Sequence, residues 1–179
     1  LVDGSDVQFR RFVSRLVLVM RRLRQVRKHF GSQIGLTGPQ YVLLINVAYL
    51  QGTQGIAVSA LARDMRVTSA FITGESRRLI QRGLLAKARN PRDSRSTLLM
   101  VTRAGRARID ALVPEIRNVN NLLFGRVSKA SFRHAWKFLD ELADGSDEAL
   151  AYIAKGSWRR AAQPGRPAPR RGISGSSMK

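Results

Sequence analysis

The chain has 179 residues, 44% of them apolar, and carries a formal net charge of +20 with no cysteine. That length fits one domain or two small lobes sharing a core, and the missing cysteines exclude disulfides, thiol catalysis and Cys-ligated zinc while fitting a reducing cytoplasm. The charge leaves fold open but selects a polyanion as partner, nucleic acid ahead of an anionic membrane surface.

Val7 to Phe30 reads as a helix, with apolar residues at Phe9, Phe12/Val13, Leu16, Val19/Met20, Leu23, Val26 and Phe30 in a 3.6-residue period. The most apolar stretch in it, Leu16 to Met20, is flanked by Arg15 and Arg21 and is far too short to span a bilayer. Gly31 and Gly35 bracket its stop. Leu36 to Leu50 starts a second helix, where Thr37 and Gln40 are spaced as a capping box and Pro39 sits in the first turn. Gly52 to Gly55 reads as a loop. Ser59 is expected to cap a short helix, Ala60 to Met65. Thr68 is expected to cap the next, Ser69 to Arg82, with Gly83 at its left-handed end. Two helices joined by the tight turn Arg66-Val67 make a helix-turn-helix pattern.

Leu84 to Arg89 and Thr97 to Val101 are β-prone runs around the charged loop of Asn90 to Ser96, so they read as a hairpin. Thr102 then caps a long helix that Pro114 should kink or divide near Val113. Ser128 caps a further helix carrying Phe132, Trp136, Leu139 and Leu142, and Ser146-Asp147-Glu148 is expected to open a last short one. The stretch 156–179 is rich in Gly, Pro, Ser and Arg without an acid, a composition that buries no core.

A helix-turn-helix followed by a hairpin is a winged helix. The expected fold is mainly α with a small β-hairpin wing. A winged helix-turn-helix lobe (36–102) joins a helical dimerisation lobe (7–35 and 103–155), and a basic disordered tail (156–179) follows. The flanking apolar stripes are buried most simply against each other and a second copy.

Residues 63–108 hold twelve Lys/Arg against three Asp/Glu. Arg63, Arg66, Arg77, Arg78, Arg82, Lys87 and Arg89 are candidate phosphate contacts, because each neutralised phosphate releases counterions. A merely solvated basic face is the plainer alternative, but the cations coincide with the motif. Ser69, Ala70, Thr73 and Arg77 lie on the face that a recognition helix turns to base edges. Gly74 is either a point of close approach to DNA or a tolerated surface glycine. Glu75 falls on the stripe expected to face inward. It either finds a partner such as Arg63 or Arg82 or reaches out to solvent.

Four stretches together resemble the MarR family of winged helix regulators. They are Leu36-Thr37 with Gln40-Tyr41, Leu61-Ala62 with Val67-Thr68, Leu79 with Arg82-Gly83-Leu84-Leu85, and Asp93-Ser94-Arg95 with Leu99, Val101-Thr102 and Gly105. Gly74, Glu75 and Ser76 depart from that family's pattern in the recognition helix. The resemblance implies a homodimer on double-stranded DNA with two wing lobes on a pseudo-palindrome. It implies that Arg95 enters the minor groove, that Asp93 braces it, and that Arg92 faces DNA beside it. It further implies a repressor released by a small effector, such as an aromatic carboxylate or an acyl-thioester, lodged between the lobes. No ligand residue carries over by motif. From spacing alone Phe12, Leu16, Met20 and Tyr41 could line such a cleft, although an aromatic stripe at this spacing is more often plain core. Arg21, Arg22 and Arg24 would suit an anionic effector.

His29 and His134 have no second metal ligand at i+3 or i+4, and there is no nucleophile elbow or phosphate-binding glycine loop. The expectation is a cytoplasmic DNA-binding regulator, not an enzyme, with no metal, no cofactor and no membrane partner. The alternative is a non-specific architectural DNA binder without ligand response.

Overall fold

The computed structural model describes residues 6–91 and 93–156, and excludes the side chains of Ser94 and Arg95 from that description. In chain order it runs α1 (Asp6–Gln33), α2 (Gly38–Leu50), β1 (Ile56–Ala57), α3 (Val58–Asp64), α4 (Ser69–Gln81), β2 (Leu85–Asn90), β3 (Asp93–Val101), α5 (Arg103–Phe124) and α6 (Lys129–Ala154). It divides into two compact units, the first ending at Leu123 and the second beginning at Phe124.

The first unit is built around α2. Leu43, Leu44 and Val47 are fully buried on it and meet Leu61 of α3, Ile72 and Leu79 of α4, and Leu85 and Leu99 of the sheet. Phe30 and Ile34 at the end of α1, and Ile109 and Leu112 of α5, belong to the same core. The capping box forms: the Gln40 amide donates to Thr37 Oγ1 at 3.4 Å, and the Thr37 amide donates to Gln40 Oε1 at 3.2 Å. Gly35 takes φ +69° where α1 stops, a conformation that a Cβ disfavours.

The sheet is three-stranded and antiparallel, ordered β1-β3-β2. Lys87 pairs with Leu99 and Arg89 with Thr97, so these four share one face of the hairpin; a bulge separates Arg89 from Asn90. β1, just beyond the loop of Gly52 to Gly55 and unassigned from sequence, pairs Ile56 with Leu99 and Ala57 with Leu98. Two residues are too few to show a period, and only β3 as a template makes them a strand. Gln51, at the end of α2, accepts the Val101 amide at 2.7 Å and ties the base of the hairpin to the core.

Three local expectations change. The helix α3 begins at Val58 with Ala57 at its cap and no side-chain bond there, so Ser59 is not the cap. Pro114 does not divide α5, which is one helix over Arg103–Phe124. The second unit's α6 is likewise a single helix over Lys129–Ala154, with no separate helix at Ser146. There the Ser146 hydroxyl donates back to the Ala143 carbonyl at 2.7 Å instead of capping forward. Ser128 does cap α6, accepting the Ser131 amide at 3.0 Å. On α6, Phe132, Trp136, Leu139, Leu142, Leu150 and Ile153 are all solvent-exposed.

Candidate nucleic-acid interface

Thr68 fixes the start of α4, accepting the Phe71 amide at 3.2 Å. Ile72, Ser76 and Leu79 then face the core. The opposite face therefore carries Ala70, Gly74 and Arg77, with Ser69 and Thr73 on the flank towards the hairpin. All five are exposed. The Thr73 hydroxyl donates to the Ser69 carbonyl at 2.8 Å, leaving its lone pairs outward. A Cβ at Gly74 would meet nothing within 4 Å.

Arg63 is exposed in the last turn of α3, and Arg66 is exposed in the connecting turn at φ 51°, the one non-glycine residue among those described with positive φ. On β2, Lys87 and Arg89 are exposed, as is Asp93 where β3 begins. Asn90 donates to Ser96 Oγ at 3.3 Å, closing the hairpin just below its tip. Arg92 and the Arg95 side chain, and with them the bracing of Arg95 by Asp93, lie outside the described residues. So does the tail over 157–179.

Arg82 differs from its expected role. Its Nη1 donates to the Gly35 carbonyl, holding the end of α4 to the α1–α2 loop. Glu75 pairs with neither Arg63 nor Arg82 and does not reach into solvent. Its side chain is 14% exposed; Oε1 accepts from Arg78 and Oε2 is buried without a hydrogen-bond partner. Arg78, 62% exposed, therefore presents a partly neutralised charge. Arg77 and Lys87 have no acidic partner among the described residues. They line a cleft of about 220 Å³ between α4 and the hairpin, with Thr73 and Thr97 beside them.

A second cavity of about 500 Å³ lies where the end of α1 faces the helix-turn-helix. Arg24, Arg27 and Lys28 line one side; Pro39, Val42, Met65, Val67 and Phe71 line the rest. The spacing of these cations, three and four residues apart on one helix, was the signal for them in sequence. None of Phe12, Leu16, Met20 or Tyr41 lines it. Tyr41 is buried against Phe30, ring centres 5.7 Å apart. Helical rise puts Phe12 about 27 Å and Met20 about 15 Å along α1 from Phe30. Within one chain these four cannot share a small-molecule cleft, and the aromatic stripe divides into core at one end and exposed surface at the other. Burial raises the Tyr41 phenol pKa above its ordinary value, and the Arg27 charge partly offsets this.

A helix-turn-helix beside a β-hairpin, both cationic on their outer faces, defines a winged helix fold. Residues 36–97 match the model of the MarR family. The chain is 27% identical over 118 residues to the uncharacterized HTH-type transcriptional regulator YdgJ of Bacillus subtilis, covering 65% of this chain and 72% of that protein. Its fold is similar to that of a MarR family regulator from Listeria monocytogenes complexed with 26mer DNA. The TM-score is 0.66 and the identity 17%, over 80% of this chain and 94% of that one. It is also similar to CouR from Rhodococcus jostii, bound to p-coumaroyl-CoA. There the TM-score is 0.64 and the identity 21%, over 78% and 93% of the two chains. Over residues 36–97 the chain is similar to the MarR family, and the likeness to the two solved structures extends to the fold. Among the described residues no helix is long and apolar enough to cross a membrane.

Proposed function

We propose that the protein is a MarR-type transcriptional regulator that binds specific operator DNA in the cytoplasm as a homodimer, and that a small anionic ligand with an aromatic body releases it. The observation that carries the reading is the unpaired cationic surface formed by Arg77 on α4 and Lys87 on β2, with Gly74 leaving the centre of α4 open. Such a surface takes a helix into the major groove and a hairpin into the neighbouring minor groove. Arg63, Arg66 and Arg89 surround it as phosphate contacts.

The homodimer reading is supported by apolar surface that one chain leaves uncovered, on α1 and, separately, on α6. The cavity at Arg24, Arg27 and Lys28 supports the ligand. Its cations suit a carboxylate or the phosphates of a coenzyme A thioester, and its opposite wall suits a ring. A ligand there would touch Met65, Val67 and Phe71, which join the two helices of the motif, and so bias the orientation of α4. DNA bound to the Listeria protein and p-coumaroyl-CoA bound to CouR agree with both halves.

The deciding experiment selects duplexes from a random library and compares the best with bulk DNA at physiological salt. A preference on the order of a thousandfold or more is expected. Almost no preference would make the protein the architectural binder that its net charge also allows. For the ligand, a thermal-shift series of aromatic carboxylates and acyl-thioesters is expected to raise Tm, and Arg24→Gln and Arg27→Gln are expected to abolish the rise. A hit whose shift survives both variants binds elsewhere.

A further inference from the structure

We infer that the cleft between α4 and the hairpin is a seat for one DNA phosphodiester in each half-site, closed from two sides by Arg77 and Lys87 and completed by Thr97. The inference rests on the DNA-binding reading above and says where a single phosphate of that DNA goes.

The cleft comes from strand register. Lys87, Leu99, Arg89 and Thr97 share a face of the hairpin, and Leu99 on that face is buried against the helices. Further out the same face no longer covers core, yet it still looks towards α4. Lys87 stands level with Leu99 and Thr97 two residues nearer the tip, both opposite Thr73 and Arg77, which are one helical turn apart on α4. Val58 and Leu99 form an apolar floor. Cations on two walls above a water-poor floor hold an anion more strongly than either would on open surface. Neither cation is neutralised by an acid among the described residues. The Thr73 hydroxyl hydrogen is committed to Ser69, so Thr97 is the hydroxyl left to donate.

The occupant follows from the two elements that make the walls. A helix in the major groove and a hairpin in the adjacent minor groove have one sugar-phosphate strand between them. The space between helix and hairpin must pass over that strand. Thr97, paired with Arg89 in the outer half of the hairpin, is thereby a DNA contact with no charge of its own.

The test uses the full chain and the best duplex from the selection. A neutral methylphosphonate replaces one phosphodiester at a time, and binding is followed by fluorescence anisotropy across a salt series. One position per half-site is expected to cost about tenfold with the wild-type protein. Lys87→Gln and Arg77→Gln are each expected to cost a similar factor and to lower the salt slope by about one. At that one position the methylphosphonate should cost either variant almost nothing more, because the contact is already lost. Thr97→Val should show the same non-additivity with an unchanged salt slope. Circular dichroism melting checks that each variant is folded; Lys87→Gln and Arg77→Gln alter exposed side chains and carry the test if Thr97→Val does not fold. Penalties that multiply at every position would overturn the seat while leaving DNA binding intact. Binding of inorganic phosphate in the cleft at millimolar concentration, with no coupled position on DNA, would overturn its assignment to DNA. Absence of binding to any duplex would remove the seat and the regulator reading together.

Discussion

A Cβ at Gly105 would stand 2.2 Å from the Leu84 carbonyl oxygen and 2.9 Å from Val101 Cγ1. Both atoms belong to the base of the hairpin, where α5 begins. Thr102 works at the same point: its hydroxyl donates to the Gly83 carbonyl at 2.6 Å and accepts the Gly105 amide at 3.0 Å. Gly105→Ala should cost about 3 kcal/mol in urea denaturation, since a backbone carbonyl cannot rotate away as a side chain can. A loss under half that size would mean the junction yields. Gly74 is the opposite case. With open space around it, Gly74→Ala should stabilise the fold by about 0.5–1 kcal/mol through helix propensity. If operator affinity is unchanged by that substitution, close approach of DNA to the α4 backbone is ruled out. Arg66 holds a left-handed conformation that costs a non-glycine residue roughly 1 kcal/mol. Arg66→Gly should therefore raise Tm while lowering the salt slope of DNA binding, and an unaltered slope would remove Arg66 from the phosphate contacts.

Elements were legible in sequence where local chemistry alone sets them. The capping box at Thr37–Gln40, the caps at Thr68, Ser128 and Thr102, and the left-handed Gly83 each depend on neighbours within a few residues. Where a distant partner intervenes, the reading went astray. β1 is a strand only because β3 runs beside it. Ser146 is a different, purely local case: it resembles a forward cap but bonds back to Ala143 in its own helix, and α6 continues. At the hairpin, Arg95→Ala should weaken binding most at operators with a narrow A·T-rich minor groove, where an inserted arginine meets the strongest negative potential. Equal losses on all selected duplexes would reassign Arg95 to the phosphates.

For the whole molecule, the charge of +20 and the uncovered apolar faces demand partners of different kinds. The proposed operator DNA would meet the charge, and the proposed second chain the apolar faces. On α6 Trp136 is 64% exposed and Leu139 54%, apolar surface of the kind that marks an interaction face. Trp136→Glu should leave the helix content intact and yield a monomer in sedimentation at micromolar concentration. Its operator affinity should fall at least a hundredfold, because the two half-sites would no longer bind as one. A dimeric mass for this variant would show that α6 does not carry the interface.

Sequence by itself determined the helices up to α5, most of their ends, and the hairpin with its cations, because caps, periods and charge clusters act over a few residues; it missed β1 and broke α6 in two. It also separated the acidic Glu75 from its basic surroundings, without showing that Arg78 takes one carboxylate oxygen and the core encloses the other. Only the tertiary structure decided which cations remain free. Arg82 is spent on Gly35 and Arg78 on Glu75, while Arg77 and Lys87 meet across a cleft. Tertiary structure likewise placed Arg24, Arg27 and Lys28, and none of Phe12, Leu16, Met20 or Tyr41, on the cavity beside the helix-turn-helix. The reason is physical: a helical stripe fixes which side chains share a face, but not which neighbour comes to lie against each part of it.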